Sequence, residues 1–347
     1  MREMKDSGIS WVGEIPKEWT IMPLYCFYSE RKNKNIFGVE NNLLSLSYGK
    51  VIRKDINTSE GLLPSNYNGY NIVEAGDIII RPTDLQNDKR SLRTGLSKER
   101  GIITSAYIAL KPKNEINSRF YHYLLHTYDI LKVFYNMGNG VRQGLNYDEF
   151  AKLMVYSPSD TEQQKIAEFL DRECGKIDGL KADIQAQIDT LEQYKRSIIT
   201  EAVTHGLNPS APMKECSVSW ARQIPQHWKV MPNKHLMTKI KNICPIYKGE
   251  DILSLTMYGV IVRDLDAGGK MPSSFDGYQY IKKGNLLMCL FDIDVTPRCI
   301  GIIKQSGITS PAYSQFKMKK IANARFYYYY YLMLDYTKEL LHLAKNL

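Results

Sequence analysis

Short runs of apolar residues bounded by Gly, Pro or Asn dominate two long parts of the chain. The run YNIVEAGDIIIRP (70–82) predicts two short strands around a Gly-Asp turn, and RGIITSAYIALKP (100–112) predicts another strand. Residues 118–137 and 324–343 instead place apolar and aromatic side chains at helical spacing. Each part is therefore expected to fold as a mixed α+β domain with short strands and a buried helix.

A different pattern occupies the residues between these two parts. Pro158, Ser159 and Glu162 are typical of a helix start, and Gly206 with Pro209 is typical of a helix end. Within this segment apolar side chains recur every seven residues, as in a coiled coil. An apolar stripe on a single polar helix needs a partner helix. The residues that we assign to helix pairing are Ile177, Leu180, Ile184, Ile188, Leu191, Tyr194 and Ile198.

The two parts are copies of one unit. Residues 4–23 and 213–232 share nine identities in twenty, whereas average amino-acid usage gives about one by chance. Weaker similarity continues in the same order toward the end of each copy. The sequence therefore predicts a first domain at 1–158, a long helix at 159–206 and a second domain at 207–347.

Composition narrows the class of protein. A length of 347 residues with 44% hydrophobic content is sufficient for two cores. The net charge of +9 favours a polyanionic partner, of which nucleic acid is the commonest. No apolar run is long enough to predict a membrane span, and the start MREMKDSG is unlike a secretory signal. Six cysteines without a CxxC pair suit a reducing compartment, so we expect a cytoplasmic protein that does not bind membranes.

The order of domain, long helix and domain resembles the specificity (S) subunit of type I restriction–modification systems. Three motifs carry the resemblance. DSGISWVGEIPKEW and its echo SVSWARQIPQHW begin the two domains, GNGVRQGLNYDEFAKLMVYSP precedes the helix, and TEQQKIAEFLDRECGKIDGL opens it. The likeness extends over essentially the whole chain.

The resemblance implies a DNA reader that does no chemistry itself. Each domain would be a target recognition domain for one half of a split double-stranded DNA sequence. The long helix would be a spacer that pairs as a coiled coil and docks two methylation subunits. The chain would hold no cofactor or metal ion, because the methylation subunits bring S-adenosylmethionine and the restriction subunits bring ATP and Mg²⁺.

In one place the sequence departs from the family pattern. A full specificity subunit follows its second domain with a second hairpin and a second long helix, and this chain has no counterpart of either. The second domain is therefore expected to be incomplete at its C-terminal end. The helix is then expected to pair in trans, with a second copy of the chain or with helices of a methylation subunit. A truncated scaffold protein that pairs with another specificity subunit is the alternative function.

Candidate DNA contacts lie in polar and basic loops, since side chains that read bases must reach into a groove while nearby cations hold phosphates. Because these loops diverge between the copies, the two domains are expected to read different sequences. We also predict that Arg90→Ala together with Arg93→Ala weakens DNA binding by the assembled complex. The candidates are Lys50, Arg53, Lys54, Asn57, Arg81, Gln86, Asn87, Lys89, Arg90, Arg93, Arg263, Lys282, Lys283 and Arg298, with Arg142 and Gln143 assigned either to DNA contact or to bracing the domain.

A self-contained methyltransferase or nuclease is the rival interpretation. The stretch GNGVRQG (138–144) follows a predicted helix and not a strand, so it does not fit a cofactor-binding loop. The sequence also contains no Asn/Asp-Pro-Pro-Tyr tetrapeptide and no phosphate-binding loop. His122 and His126 have the spacing of zinc ligands on a helix, but half-buried helix residues explain them better.

Overall fold

The computed structural model describes residues 2–57, 66–83, 85, 92–135, 137, 144–218, 220–266, 272–291, 293 and 298–344, with the backbone alone at 342–344. The chain divides into two compact units, Met1–Lys181 and Ala182–Leu347. This division falls inside the long helix, and the predicted boundaries at 158 and 206 stay predictions. The mixed α+β fold class with a long central helix is confirmed.

The first unit consists of short strands, two helices, a 3-10 turn at Leu24–Cys26 and the start of the long helix. Its strands are β1 (Met4–Asp6), β2 (Glu14–Pro16), β3 (Thr20–Pro23), β4 (Tyr28–Glu30), β5 (Leu44–Ser47), β6 (Lys50–Arg53), β7 (Asn71–Val73), β8 (Ile78–Ile80), β9 (Thr94–Leu96), β10 (Gly101–Ile103), β11 (Ile108–Pro112) and β12 (Met154–Ser157). Its helices are α1 (Ser118–Ile130), α2 (Tyr147–Phe150) and the first part of α3 (Asp160–Thr204).

The second unit contains the end of α3 and repeats most of these elements. Its strands are β13 (Met213–Glu215), β14 (Gln223–Pro225), β15 (Met237–Ile240), β16 (Leu253–Thr256), β17 (Gly259–Val262), β18 (Gln279–Ile281), β19 (Leu286–Met288), β20 (Ile300–Ile302), β21 (Gly307–Thr309) and β22 (Ser314–Met318). Its further helices are α4 (Asn233–Leu236), α5 (Ala324–Tyr336) and α6 (Glu339–Ala344).

The two units have matching sheets. A four-stranded antiparallel sheet has the order β4-β11-β8-β9 in the first unit and β15-β22-β19-β20 in the second. The register also matches, since Tyr28 pairs with Pro112 and its counterpart Met237 pairs with Met318. Three two-stranded sheets repeat in the same way: β1-β2 as β13-β14, β5-β6 as β16-β17, and β7-β10 as β18-β21. The duplication inferred from sequence therefore corresponds to a duplicated fold.

One glycine pair shows how closely the packing repeats. A Cβ atom on Gly101 would lie 2.5 Å from the carbonyl oxygen of Asn42. A Cβ on its counterpart Gly307 would lie 2.3 Å from the carbonyl oxygen of Asp251. Both distances are below van der Waals contact, so only glycine allows the two chain segments to approach here. The same close approach is thus present in both units.

Each unit packs one helix against its sheet to form the core. The side chain of Asn117 accepts a hydrogen bond from the backbone N–H of Phe120 at 3.1 Å and so caps α1. Asn323 caps α5 in the same way, accepting from the N–H of Phe326 at 3.3 Å. Helical spacing then turns one face of α1, including Phe120 and Leu124, into the buried core of the first unit.

Candidate nucleic-acid interface

Each unit ends a two-stranded sheet in a tight turn that projects a tyrosine. Tyr48 and Gly49 connect β5 to β6, and both have the positive φ, 45° and 80°, that such hairpin turns require. The side chain of Tyr48 is 84% exposed, and that of Tyr258 in the β16–β17 turn is 88% exposed. Sequence reasoning missed both residues. A large aromatic residue at a hairpin turn was the available signal, because it has no neighbour there to cover it.

Predicted DNA-binding cations follow the first of these turns. The Nζ of Lys50 lies 2.6 Å from Oδ2 of Asp178 on α3, and the Nε of Arg53 lies 2.7 Å from Oε1 of Glu99. Lys54 is exposed and forms no ion pair with any residue that the structure describes. Exposed ion pairs are weak in water, so a phosphate can replace these carboxylates as the partner.

Electrostatics keeps these two acidic partners ionised. The ammonium group of Lys50 holds the pKa of Asp178 below its usual value through a hydrogen bond and direct attraction. The guanidinium of Arg53 lowers the pKa of Glu99 in the same way. The hairpin therefore presents three cations, of which Lys50 and Arg53 are paired with carboxylates of the same unit. Lys54 has no ion pair with any described residue, so its charge is available to a phosphate.

The second unit places its cations differently. Lys282 and Lys283 lie in the turn before β19, where their backbone N–H groups donate to Oε1 of Gln315 at 2.8 Å and to Oγ of Ser306 at 3.0 Å. The two side chains are exposed. In the first unit the residue equivalent to Lys282 is Glu74, which accepts a hydrogen bond from Arg100. The same turn is therefore acidic in one unit and basic in the other.

The remaining candidates fall into three groups. Asn57 is exposed, whereas Arg81, Arg263 and Arg298 are half-buried. Arg93 is buried and is discussed separately below. The others lie outside the described residues: Gln86, Asn87, Lys89, Arg90, Arg142 and Gln143.

The prediction that Arg93 contacts DNA is wrong, because its side chain is fully buried. Its Nε donates to the hydroxyl of Tyr135 at 3.0 Å, and its Nη1 donates to the carbonyl oxygen of Thr83. Its backbone N–H donates to the carboxylate of Asp129. A guanidinium held in this way stabilises the interior of the first unit and has no surface for a phosphate. The expected effect of Arg93→Ala is therefore loss of stability.

His122 and His126 lie side by side on α1 with ring centroids 6.0 Å apart. Burial lowers the pKa of His122 to about 4, and the neighbouring His126 contributes to this shift. No group of three or more metal-ligating side chains occurs in the described part of the chain. The structure thus places both histidines as partly buried helix residues.

The long helix α3 begins at Asp160 and ends at Thr204, as its capping residues predicted. The carboxylate of Glu162 accepts hydrogen bonds from Arg2 and from Nε1 of Trp19, so it ties the helix start to the first unit. The stripe assigned to helix pairing is open to solvent within the chain, with exposures between 45% at Ile188 and 65% at Leu191. Its role in pairing stays a prediction.

No described helix combines the length and apolar character required to cross a membrane. Residues 48–190 match a family model for the type I restriction modification DNA specificity domain. These residues are therefore similar to that domain. The match begins in the β5–β6 turn and includes β6 and most of α3. No curated protein matches the chain significantly.

Among the solved structures that align with the chain, the first described below shares its fold. One, from a study of complex assembly and conformational transition of the type I R-M system, covers 92% of this chain and 80% of its own at 11% identity, with a TM-score of 0.53. The HsdS subunit of Thermoanaerobacter tengcongensis covers 96% and 82% at 11% identity, with a TM-score of 0.46. The S subunit of a Type-I restriction-modification system from M. genitalium covers 95% and 80% at 12% identity, with a TM-score of 0.36.

Proposed function

We propose that this chain is a type I specificity subunit, which reads a bipartite double-stranded DNA target, one half with each unit, and docks methylation subunits through α3. In this proposal the chain is not an enzyme and binds no cofactor or metal ion. Methylation subunits provide S-adenosylmethionine, and restriction subunits provide ATP and Mg²⁺. The complex works in the cytoplasm.

The observation that carries the proposal is a repeated framework with different charged side chains on it. The four-stranded sheet and three two-stranded sheets of the first unit recur in the second. Both units project a hairpin tyrosine, but the turn before β8 contains Glu74 where the turn before β19 contains Lys282. A duplicated framework with different surface groups suits two readers of different sequences.

The exposed stripe on α3 supports the docking role. Seven apolar side chains along one helix face are unfavourable in water, and a partner helix would remove them from it. Helices of a methylation subunit are the proposed partner. The same observation favours a second candidate function, a scaffold that pairs with another specificity subunit.

Binding-site selection on the chain assembled with its methylation subunits tests the proposal. We expect two short specific sequences separated by a fixed gap. A single half-site, or no enrichment, would favour the scaffold. Methyl transfer by the purified chain alone would instead revive the enzyme alternative.

The DNA affinity of single lysine variants of the assembled complex would then show which surfaces contact the DNA. Lys54→Ala should weaken binding on every target and reduce the slope of log affinity against log salt by about 0.9 for one lost phosphate contact. Lys283→Ala should do the same from the second unit. Lys17→Ala is the control, since this exposed lysine of the β2–β3 turn pairs with Glu3 at 2.8 Å. An equal effect of all three would mean that only net charge matters.

A further inference from the structure

The two exposed tyrosines stand at the ends of two equivalent ribbons, the β5–β6 pair and the β16–β17 pair. In the first ribbon Leu46 lies opposite Val51, and in the second Leu255 lies opposite Val260. These aliphatic side chains pack against the core of their own unit. Because side chains alternate along a strand, the other face of each ribbon points away from that core.

The outer faces of the two ribbons carry the same pair of residue types. Ser45 lies opposite Ile52 in the first ribbon, and Ser254 lies opposite Ile261 in the second. Both isoleucines are exposed. Each unit therefore presents an open two-stranded ribbon, which is an element that the major groove of DNA admits.

A cation follows the second strand of each ribbon at the equivalent position. The backbone N–H of Lys54 donates to the carbonyl oxygen of Leu43 at 2.8 Å, and that of Arg263 donates to the carbonyl oxygen of Ile252 at 2.7 Å. The positions correspond because the same backbone bond recurs. Positive charge at the base of both ribbons is complementary to a polyanion.

The turns at the tips differ, although both expose a tyrosine. The first turn consists of Tyr48 and Gly49, and the second consists of Met257 and Tyr258, so the tyrosine stands first in one and second in the other. The positive φ of 45° at Tyr48 has no equivalent at Tyr258, because in the second ribbon the positive φ belongs to Gly259, at 99°. The tyrosine is thus common to two turns that have different backbones.

The backbone of Tyr48 is strained without any gain in packing. A φ of 45° lies in the left-handed region, which glycine and asparagine adopt far more readily than tyrosine. The turn is also held closely, since a Cβ on Gly49 would lie 3.2 Å from Cδ1 of Leu92. The Tyr48 side chain forms no hydrogen bond or ring contact with any residue that the structure describes. Such strain at an exposed aromatic residue indicates a function outside the fold itself.

The second turn is fixed by a side chain of its own strand. The Thr256 hydroxyl accepts from the backbone N–H of Tyr258 at 3.2 Å and donates to the carbonyl oxygen of Gly259 at 3.0 Å. Both tyrosines are therefore presented from ordered turns. A ligand that covers either ring would not have to order the backbone beneath it.

We infer that Tyr48 and Tyr258 are wedge residues, an inference that rests on the proposed DNA-reading function. Each ribbon enters the major groove tip first, and its tyrosine inserts at a base step and stacks on the face of a base. Every base offers such a face, so one residue type serves two units that read different sequences. The cation at the base of each ribbon faces the phosphates beside that step, and the wedge opens the base step and bends the duplex.

Tyr48→Asn tests the inference in the complex assembled with methylation subunits, with the duplex obtained by binding-site selection as the probe. Its affinity should fall about tenfold or more through loss of stacking. The slope of log affinity against log salt should stay the same, because no phosphate contact is lost. The midpoint of denaturation of the first unit should rise, since asparagine suits this turn. Weaker binding together with higher stability is not expected of a residue that only supports the fold.

Three further variants sharpen the test. Tyr258→Asn should weaken binding similarly but without the gain in stability, because Tyr258 does not have a positive φ. Tyr48→Phe keeps the ring and should keep the affinity. Tyr25→Asn is the matched control, since this tyrosine of the 3-10 turn is exposed but lies outside the ribbons. Its affinity for the duplex should be that of the unaltered complex.

The outcomes separate this inference from the proposed function. Full affinity of either ribbon variant, Tyr48→Asn or Tyr258→Asn, for the selected duplex overturns the assignment of that tyrosine and leaves the proposed function standing. Loss of methylation subunits from the Tyr48→Asn complex, measured by analytical ultracentrifugation, also overturns it, since the ring would then contact protein. A complex that selects no duplex overturns the proposed function and this inference together.

Discussion

A buried carboxylate occupies the same position in both units but has different neighbouring side chains. Asp129 lies near the end of α1 and Asp335 near the end of α5, at equivalent positions. The carboxylate of Asp129 accepts from the backbone N–H of Arg93, and that of Asp335 accepts from the N–H of Cys299 at 2.9 Å. The backbone bond is thus common to both units, and the side chain beside it is an arginine in one and a cysteine in the other.

The surroundings of each carboxylate follow from that exchange. In the first unit Tyr135 donates its hydroxyl to Asp129 at 2.9 Å and accepts from Arg93, so a polar network fills the interior. In the second unit burial and the negative charge of Asp335 raise the pKa of Cys299 to about 12, which keeps the thiol neutral. The fold therefore requires the carboxylate and its backbone partner, while the neighbouring side chain can vary.

Among the substitutions that test this comparison, Arg93→Ala is expected to cause the largest loss of stability. It removes the buried cation while the Asp129 carboxylate stays, and breaking a buried charge network costs about 3–5 kcal/mol. Chemical denaturation followed by hydrogen exchange should show the loss in the first unit only. Cys299→Ala, the matched change in the second unit, should cost about 1 kcal/mol because it removes only a small neutral group. Normal stability with weakened DNA binding would restore the original assignment of Arg93 to the DNA.

Arg93 also shows where sequence reasoning fails. Local patterns were enough for α3, because heptad spacing and capping residues lie within the helix itself. The repeat was visible because paired tryptophans and prolines keep their spacing. Arg93, by contrast, belongs to a basic run, and its burial depends on Asp129 and Tyr135, which lie 36 and 42 residues away. Such contacts are fixed by packing and leave no local signal.

The surroundings of the two equivalent tryptophans could not be predicted for the same reason. Alignment matched Trp19 with Trp228 but said nothing about what covers either ring. In the first unit the ring of Tyr156 stacks on Trp19, and the carboxylate of Glu162 accepts from the indole N–H. Trp228 instead packs edge-on against Phe326, with ring centroids 5.7 Å apart, and only the contacts show this difference.

A smaller difference between the units should appear as a pH dependence. His122 of α1 corresponds to Tyr328 of α5, and burial lowers the pKa of His122 to about 4. The unfolded chain then binds a proton at a higher pH than the folded unit does. Stability is full above about pH 6.5 and falls as the pH drops toward 4, by an amount on the order of 2 kcal/mol.

His122→Tyr makes the first unit resemble the second at this position and should flatten that decline. The measurement is the free energy of unfolding of the first unit at several pH values, from about neutral down to about the folded pKa of the histidine. Tyr328→Phe is the control, because it removes no group that titrates in this range. An unchanged decline in His122→Tyr would mean that other groups cause it.

The smallest effect on stability is expected on α3, of which each unit buries one end. Ala167 is fully buried in the first unit and Val203 is buried in the second, whereas Ile184 and Ile188 between them are about half exposed. Replacing Ile184 and Ile188 by lysine should therefore change the free energy of unfolding by about 0.5 kcal/mol or less, the usual range for surface positions.

The same change places two charges on the stripe, where a pairing helix would have to desolvate them. Association with methylation subunits, measured by analytical ultracentrifugation, should be lost. Gln185→Lys adds a charge on a polar position of the same turn and should leave association intact, so equal loss in both variants would show that the stripe is not the contact.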